Sequence, residues 1–75
     1  MDRAVLLNRL ARSNEDIDQT DRNVFAQAKR VAAATAVGAD VSISRDLLKR
    51  FREIRHGLLK RQDALIVQIA NSAQH

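Results

Sequence analysis

The amino-acid sequence predicts an all-α protein, an antiparallel hairpin of two long helices. Its 75 residues include no Pro and only two Gly, which leaves few tight turns and favours a few long elements. It has no Cys and two Phe, so the core is aliphatic and lacks disulfides. Apolar residues recur at helical spacing on both sides of a loop at residues 37–44. We therefore expect one domain over residues 1–75.

The first predicted helix spans about residues 3–36, with apolar residues at helical spacing at both of its ends. Between Ser13 and Asp21 only Ile17 is apolar. Ser13 and Thr20 are residue types that start helices well, so a new helix could begin in this region. The first half is either one continuous helix, which the lack of Gly and Pro favours, or a short helix 3–12 that bends into a second.

The second predicted helix spans about residues 45–72. Gly38 suits the end of the preceding helix, and Ser44 suits the cap of the next one, with Asp46 in the first turn. At 100° per residue, one wide apolar face emerges, and we expect it to pack against the first helix. That face consists of Leu47, Phe51, Ile54, Leu58, Leu65 and Ile69.

A second set of apolar residues on this helix predicts a partner. Leu48, Leu59 and Ile66 fall on one flank of the main face, and Val67 falls opposite it. A large aliphatic side chain left in water forfeits about 1.5–3 kcal/mol, a large share of the ~5 kcal/mol that stabilises a small domain. We expect these four residues to bind another helix, from a second copy or a different protein, which completes a bundle. Alternatively, residues 3–12 fold back over the flank as a third helix.

A row of bases lies opposite the main apolar face. Its members are Arg45, Lys49, Arg52, His56 and Lys60. The net charge is +4, and a basic helix face is typical of phosphate binding. Acids interrupt the region, however, and the row contains no Phe, Tyr or Trp that could stack on nucleobases. The row is therefore a candidate nucleic-acid site, with a solvated helix face as the favoured interpretation.

Several function classes are not expected. Asn14–Asp18 resembles a calcium loop, but Gln19 and Phe25 occupy the positions that need Gly and Glu, so we expect no metal site. The two imidazoles, His56 and His75, have no nearby nucleophile or carboxylate pair, so we expect neither catalysis nor a cofactor. No apolar run approaches the ~18 residues of a membrane span, and the N-terminal residues lack a signal-like run. A cytoplasmic protein is expected.

The sequence thus predicts a non-enzymatic protein–protein interaction module, such as a small chaperone, adaptor or assembly subunit. Its apolar helix face would bind a helical partner or a second copy. The alternative is a small basic regulator that binds nucleic acid as a dimer of hairpins.

Overall fold

A computed structural model describes residues 2–72 and shows the predicted helical hairpin. Helix α1 comprises Arg3–Ala36 and helix α2 comprises Ser42–Ser72. They run antiparallel, and their Cα atoms extend over 59 × 14 × 12 Å. Because α1 is one uninterrupted helix, the alternatives of a bend and of a third helix formed by residues 3–12 are wrong. His75 lies outside the described residues.

Both ends of helix α1 are capped by hydrogen bonds to neighbouring residues of the chain. At the start, a carboxylate oxygen of Asp2 accepts from the Ala4 N–H at 3.2 Å. At the end, Gly38 has φ 71°, a left-handed conformation that glycine adopts without strain. The Gly38 N–H donates to the Thr35 carbonyl, and the Ala39 N–H donates to the Ala34 carbonyl. This pair of bonds is the Schellman motif, which confirms the predicted role of Gly38.

Helix α2 begins at Ser42, three residues before the predicted start. The carboxylate of Asp40 accepts from the Ser42 hydroxyl at 2.7 Å and from the Ser42 N–H at 3.0 Å. These bonds hold the pKa of the Asp40 carboxyl below its ordinary value, the hydroxyl bond having the larger effect. Ser44 therefore lies inside the first turn and is not the cap. The prediction missed this because Asp40 satisfies the helix end earlier in the chain.

The residues through which the helices contact each other, here called the seam, recur at alternating intervals of three and four. This 3.5-residue period is that of a left-handed coiled coil. All of these side chains are buried or half-buried. On α1 they are Leu6, Leu10, Ser13, Ile17, Thr20, Val24, Gln27, Val31 and Ala34, and on α2 they are Ser44, Leu48, Phe51, Arg55, Leu58, Gln62, Leu65, Ile69 and Ser72.

Three buried seam residues of α1 are polar. Ser13, Thr20 and Gln27 follow one another at intervals of seven, so they occupy equivalent positions of the repeat. The Gln27 amide donates to the Ser44 carbonyl at 3.0 Å, and its oxygen accepts from Arg30 at 3.3 Å. The Ser13 hydroxyl is buried without a hydrogen-bond partner among residues 2–72. Polar positions of this kind fix the register of a coiled coil and lower its stability.

Two further cross-helix bonds define the antiparallel register. The Gln62 amide donates to the Asn14 side-chain oxygen at 2.8 Å. The Arg55 guanidinium forms an ion pair with Asp21. Asn14 and Asp21 are seven residues apart, as are Arg55 and Gln62, so the two bonds lie two helical turns apart on both helices.

The seam differs from the apolar face predicted for α2. Leu47 and Ile54 were expected to pack on α1 and are instead exposed, whereas Leu48, expected on an open flank, is buried with 8% of its surface accessible. No side chain among residues 2–72 is completely buried, the most hidden being Leu6 and Gln27 at 3%. The hairpin therefore has a thin core and leaves large apolar side chains in solvent.

Candidate functional site

The two long sides of the hairpin differ in composition. In a 3–4 repeat, residues directly after a seam position lie on one side, and residues directly before it lie on the other. We call the first the groove side, and on α2 it includes Arg45, Arg52, Leu59 and Ile66. We call the second the arginine side, where Arg9 and Asp16 of α1 border the same cleft as Arg61 of α2.

The groove side carries an open groove of about 660 Å³ near the turn. Val31 of α1 and Leu48 of α2, both seam residues, supply aliphatic side chains to its floor. The rim belongs to α2 and is mainly basic. Its members are Arg45, Lys49, Arg52, Glu53 and His56.

Four of the five residues in the predicted basic row border this groove, and Lys60 does not. The bases therefore face an apolar floor as well as solvent, which their angular position on α2 did not reveal. The one ion pair within residues 2–72 joins Asp21 to Arg55, so Arg45, Lys49 and Arg52 are free to meet anions from outside. Glu53 offsets part of their charge.

The four residues predicted to bind a partner fall in different places. Leu48 is part of the seam and of the groove floor, so its expected position on an open flank is wrong. Leu59 is half-buried, and Ile66 is exposed on the same side as the groove. Val67 is also exposed but lies further around α2, away from the seam. Leu59 and Ile66 continue the groove side beyond the basic rim, towards the open end of the hairpin.

The structure adds two apolar residues of α1 that the prediction did not include. Leu7 and Phe25 each directly follow a seam residue, so they lie on the groove side, and Phe25 keeps 67% of its surface exposed. The Lys29 ammonium lies 5.2 Å from the centre of the Phe25 ring, a cation–π distance. The signal for both residues was present in the sequence, but only relative to a 3–4 repeat.

Membrane spans and metal-binding clusters are two further features that can be looked for in the described part of the chain. No helix within residues 2–72 is long and apolar enough to cross a bilayer. The same residues contain no group of three His, Asp or Glu side chains that could hold a metal ion. Comparisons with protein-family models, curated proteins and solved structures give no significant match. The structure itself defines the class as a two-helix antiparallel coiled-coil hairpin.

Proposed function

We propose that this hairpin is a protein–protein interaction module that binds a helix along its groove side. The observation that carries the proposal is the groove itself, with its apolar floor at Val31 and Leu48 and three cations on its rim. An amphipathic helix docks by placing its apolar stripe in such a groove. Carboxylates beside that stripe would meet Arg45, Lys49 and Arg52, which favours this orientation over others.

The thin core of the hairpin supports the same proposal. The seam buries four large apolar residues, and polar residues occupy alternate layers of its middle. Each apolar Å² removed from water contributes about 25 cal/mol, and a helix along the groove side would cover Leu59 and Ile66, which the seam leaves partly or largely exposed. A partner that binds only the folded state raises the stability of the fold. Docking would therefore stabilise the hairpin as well as recruit the partner.

Nucleic acid is the second candidate, because Arg45, Lys49 and Arg52 make no ion pair within residues 2–72. Two features of the groove favour protein instead. Its floor is aliphatic, and its rim contains Glu53 and no Phe, Tyr or Trp side chain on which a base could stack. A phosphate backbone would leave the apolar floor uncovered.

The test is fluorescence anisotropy with a labelled helical peptide that carries leucines at positions i, i+3, i+4 and i+7, flanked by glutamates. We expect saturable binding, and we expect the double variant Lys49→Glu, Arg52→Glu to weaken it at least about tenfold, because both changes place repulsive charge beside the carboxylates. The matched control is Arg9→Glu, Arg12→Glu, which makes the same charge change on the arginine side and should leave the affinity unchanged.

Two further probes separate the alternatives. A peptide with lysines in place of the glutamates should bind weakly, and a labelled duplex RNA should show no affinity that survives moderate salt. Equal loss of peptide binding in both double variants would mean that net charge alone attracts the peptide, which would contradict a groove site. RNA binding that falls steeply with salt and depends on Lys49 and Arg52 would support the nucleic-acid function instead.

A further inference from the structure

We infer that the helical partner is a second copy of this chain, docked antiparallel with groove side against groove side. This inference rests on the proposed function and specifies its partner. It starts from the order of side chains along the groove side of α2, which is basic near the turn and mainly apolar towards the open end. In sequence these side chains are Arg45, Lys49, Arg52, His56, Leu59, Asp63, Ile66 and Ala70.

A two-fold axis near the middle of this line makes the surface complementary to itself. With His56 opposite Leu59 of the second copy, Arg52 meets Asp63 of that copy, and Lys49 lies beside its Ile66. The Ile66 side chain would then enter the groove over Val31 and Leu48, while opposite charges meet at its border. No two like charges of this line face each other. Such an interface is isologous, so every contact occurs twice.

The apolar residues of α1 extend the same surface. Leu7 near the open end and Phe25 nearer the turn are both exposed on the groove side. Within residues 2–72 no further element is left to cover them, since α1 and α2 already pack along the seam. Two hairpins joined by this side form a four-helix bundle in which Leu59, Ile66 and these two residues face the new interior.

The arginine side does not suit the same association. Leu47 and Ile54 are exposed there too, but they lie among many side chains of one charge. Two copies joined by this side would bring like charges together, which costs free energy in a partly desolvated interface. The charged residues directly before seam positions are Arg9, Arg12, Asp16, Arg30, Arg50 and Arg61. The groove side carries both signs, because Asp18 and Asp21 of α1 directly follow seam positions and join Asp63 opposite three bases of α2, and Asp21 already pairs with Arg55. With no excess of one sign, the groove side suits self-association better than the arginine side.

The first experiment is sedimentation equilibrium of the purified chain over a concentration series, with circular dichroism to verify helix content. We expect a reversible monomer–dimer equilibrium. Leu59→Glu, Ile66→Glu should raise the dissociation constant more than about 100-fold, because both apolar contacts are lost and the isologous interface contains each of them twice. The matched control is Leu47→Glu, Ile54→Glu, which makes the same change at exposed residues of the arginine side and should leave the constant within about threefold.

Charge reversal identifies the pairing. Arg52→Glu and Asp63→Arg should each weaken the dimer, and the chain with both changes should regain most of the affinity, because each charge again meets its opposite in the second copy. Additive weakening in that chain, or dimerisation lost only in the control, would overturn the inference. A monomer at every concentration that still binds the acidic peptide would refute self-association and leave the proposed function standing.

Discussion

Neighbouring residues of α2 with the same chemistry occupy opposite environments. Leu48 keeps 8% of its surface exposed, whereas Leu47, directly before it, keeps 39%. Near the open end, Leu65 keeps 6% and Ile66 keeps 48%. Leu48 and Leu65 occupy seam positions, and the other two lie on either side of the seam. Position in the 3–4 repeat, and not hydrophobicity alone, therefore decides which side chains α1 covers.

The same comparison holds for polar residues. Gln27 is more deeply buried than any apolar residue on the two sides of the hairpin, because its position in the repeat faces α2. The molecule thus places polar groups in the seam and leaves aliphatic groups outside it. That exchange weakens the isolated hairpin and leaves apolar surface in solvent, so binding of the proposed partner would also raise the stability of the fold.

The largest effect should come from truncating a seam residue. We expect Leu65→Ala to lower the free energy of unfolding by about 2–5 kcal/mol, since it leaves a cavity between the helices. Ile54→Ala, at an exposed position on the arginine side, should change it by no more than about 0.5 kcal/mol. Urea denaturation followed by circular dichroism, at one protein concentration for all variants, measures both values. Equal losses would mean that the seam lies elsewhere on α2.

The next largest loss of stability should come from Gln27, a buried polar residue whose amide nitrogen and oxygen both form hydrogen bonds. Gln27→Ala removes the donor to the Ser44 carbonyl and the acceptor of Arg30, and it opens space in the seam. We expect a loss of about 1–3 kcal/mol in the free energy of unfolding, measured by the same denaturation. A neutral result would show that these bonds exchange freely with water.

Ser13 provides the contrast, because its hydroxyl is buried without a partner within residues 2–72. Replacing it with Ala removes an unsatisfied polar group and adds the best helix former. Ser13→Ala should therefore raise the free energy of unfolding, by up to about 1 kcal/mol. A loss as large as that of Gln27→Ala would contradict the distinction between paired and unpaired polar residues of the seam.

The sequence predicted the hairpin because it contains very few residues that end helices or form turns. With no Pro and with Gly38 as the one Gly between the two periodic segments, a single reversal of the chain was the simplest solution. The continuous α1 follows from the same fact, since the polar stretch from Ser13 to Asp21 contains no residue that breaks a helix. Two of its polar residues, Ser13 and Thr20, are buried in the seam, so the polar stretch does not mark a break in the helix.

The seam and the groove could not be predicted from the pattern of one helix alone. A helical wheel drawn at 100° per residue from Leu47 centred the apolar face on that residue. The seam instead follows the 3.5-residue period of a coiled coil, which places Leu48 in it. The groove also needs Val31, which α1 supplies from across the seam. Neither the period nor the neighbour is visible when one helix is considered alone, so the bases on the rim resembled a purely solvated row.

The smallest effect should come from the ion pair between Asp21 and Arg55, at the edge of the seam. Both side chains are close to half exposed, at 48% and 43%, so water and salt screen their attraction. We expect Asp21→Asn to lower the free energy of unfolding by about 0.2–1 kcal/mol at low ionic strength. The difference should largely vanish in 1 M salt, where the Debye length is about 3 Å. Urea denaturation at both salt concentrations measures this, with Asp18→Asn as the control for loss of the same charge one turn earlier on α1. A loss above about 2 kcal/mol that persists in high salt would mean that this pair stabilises the hairpin as much as a buried polar contact does. The edge of the seam would then contribute as much to stability as its buried middle.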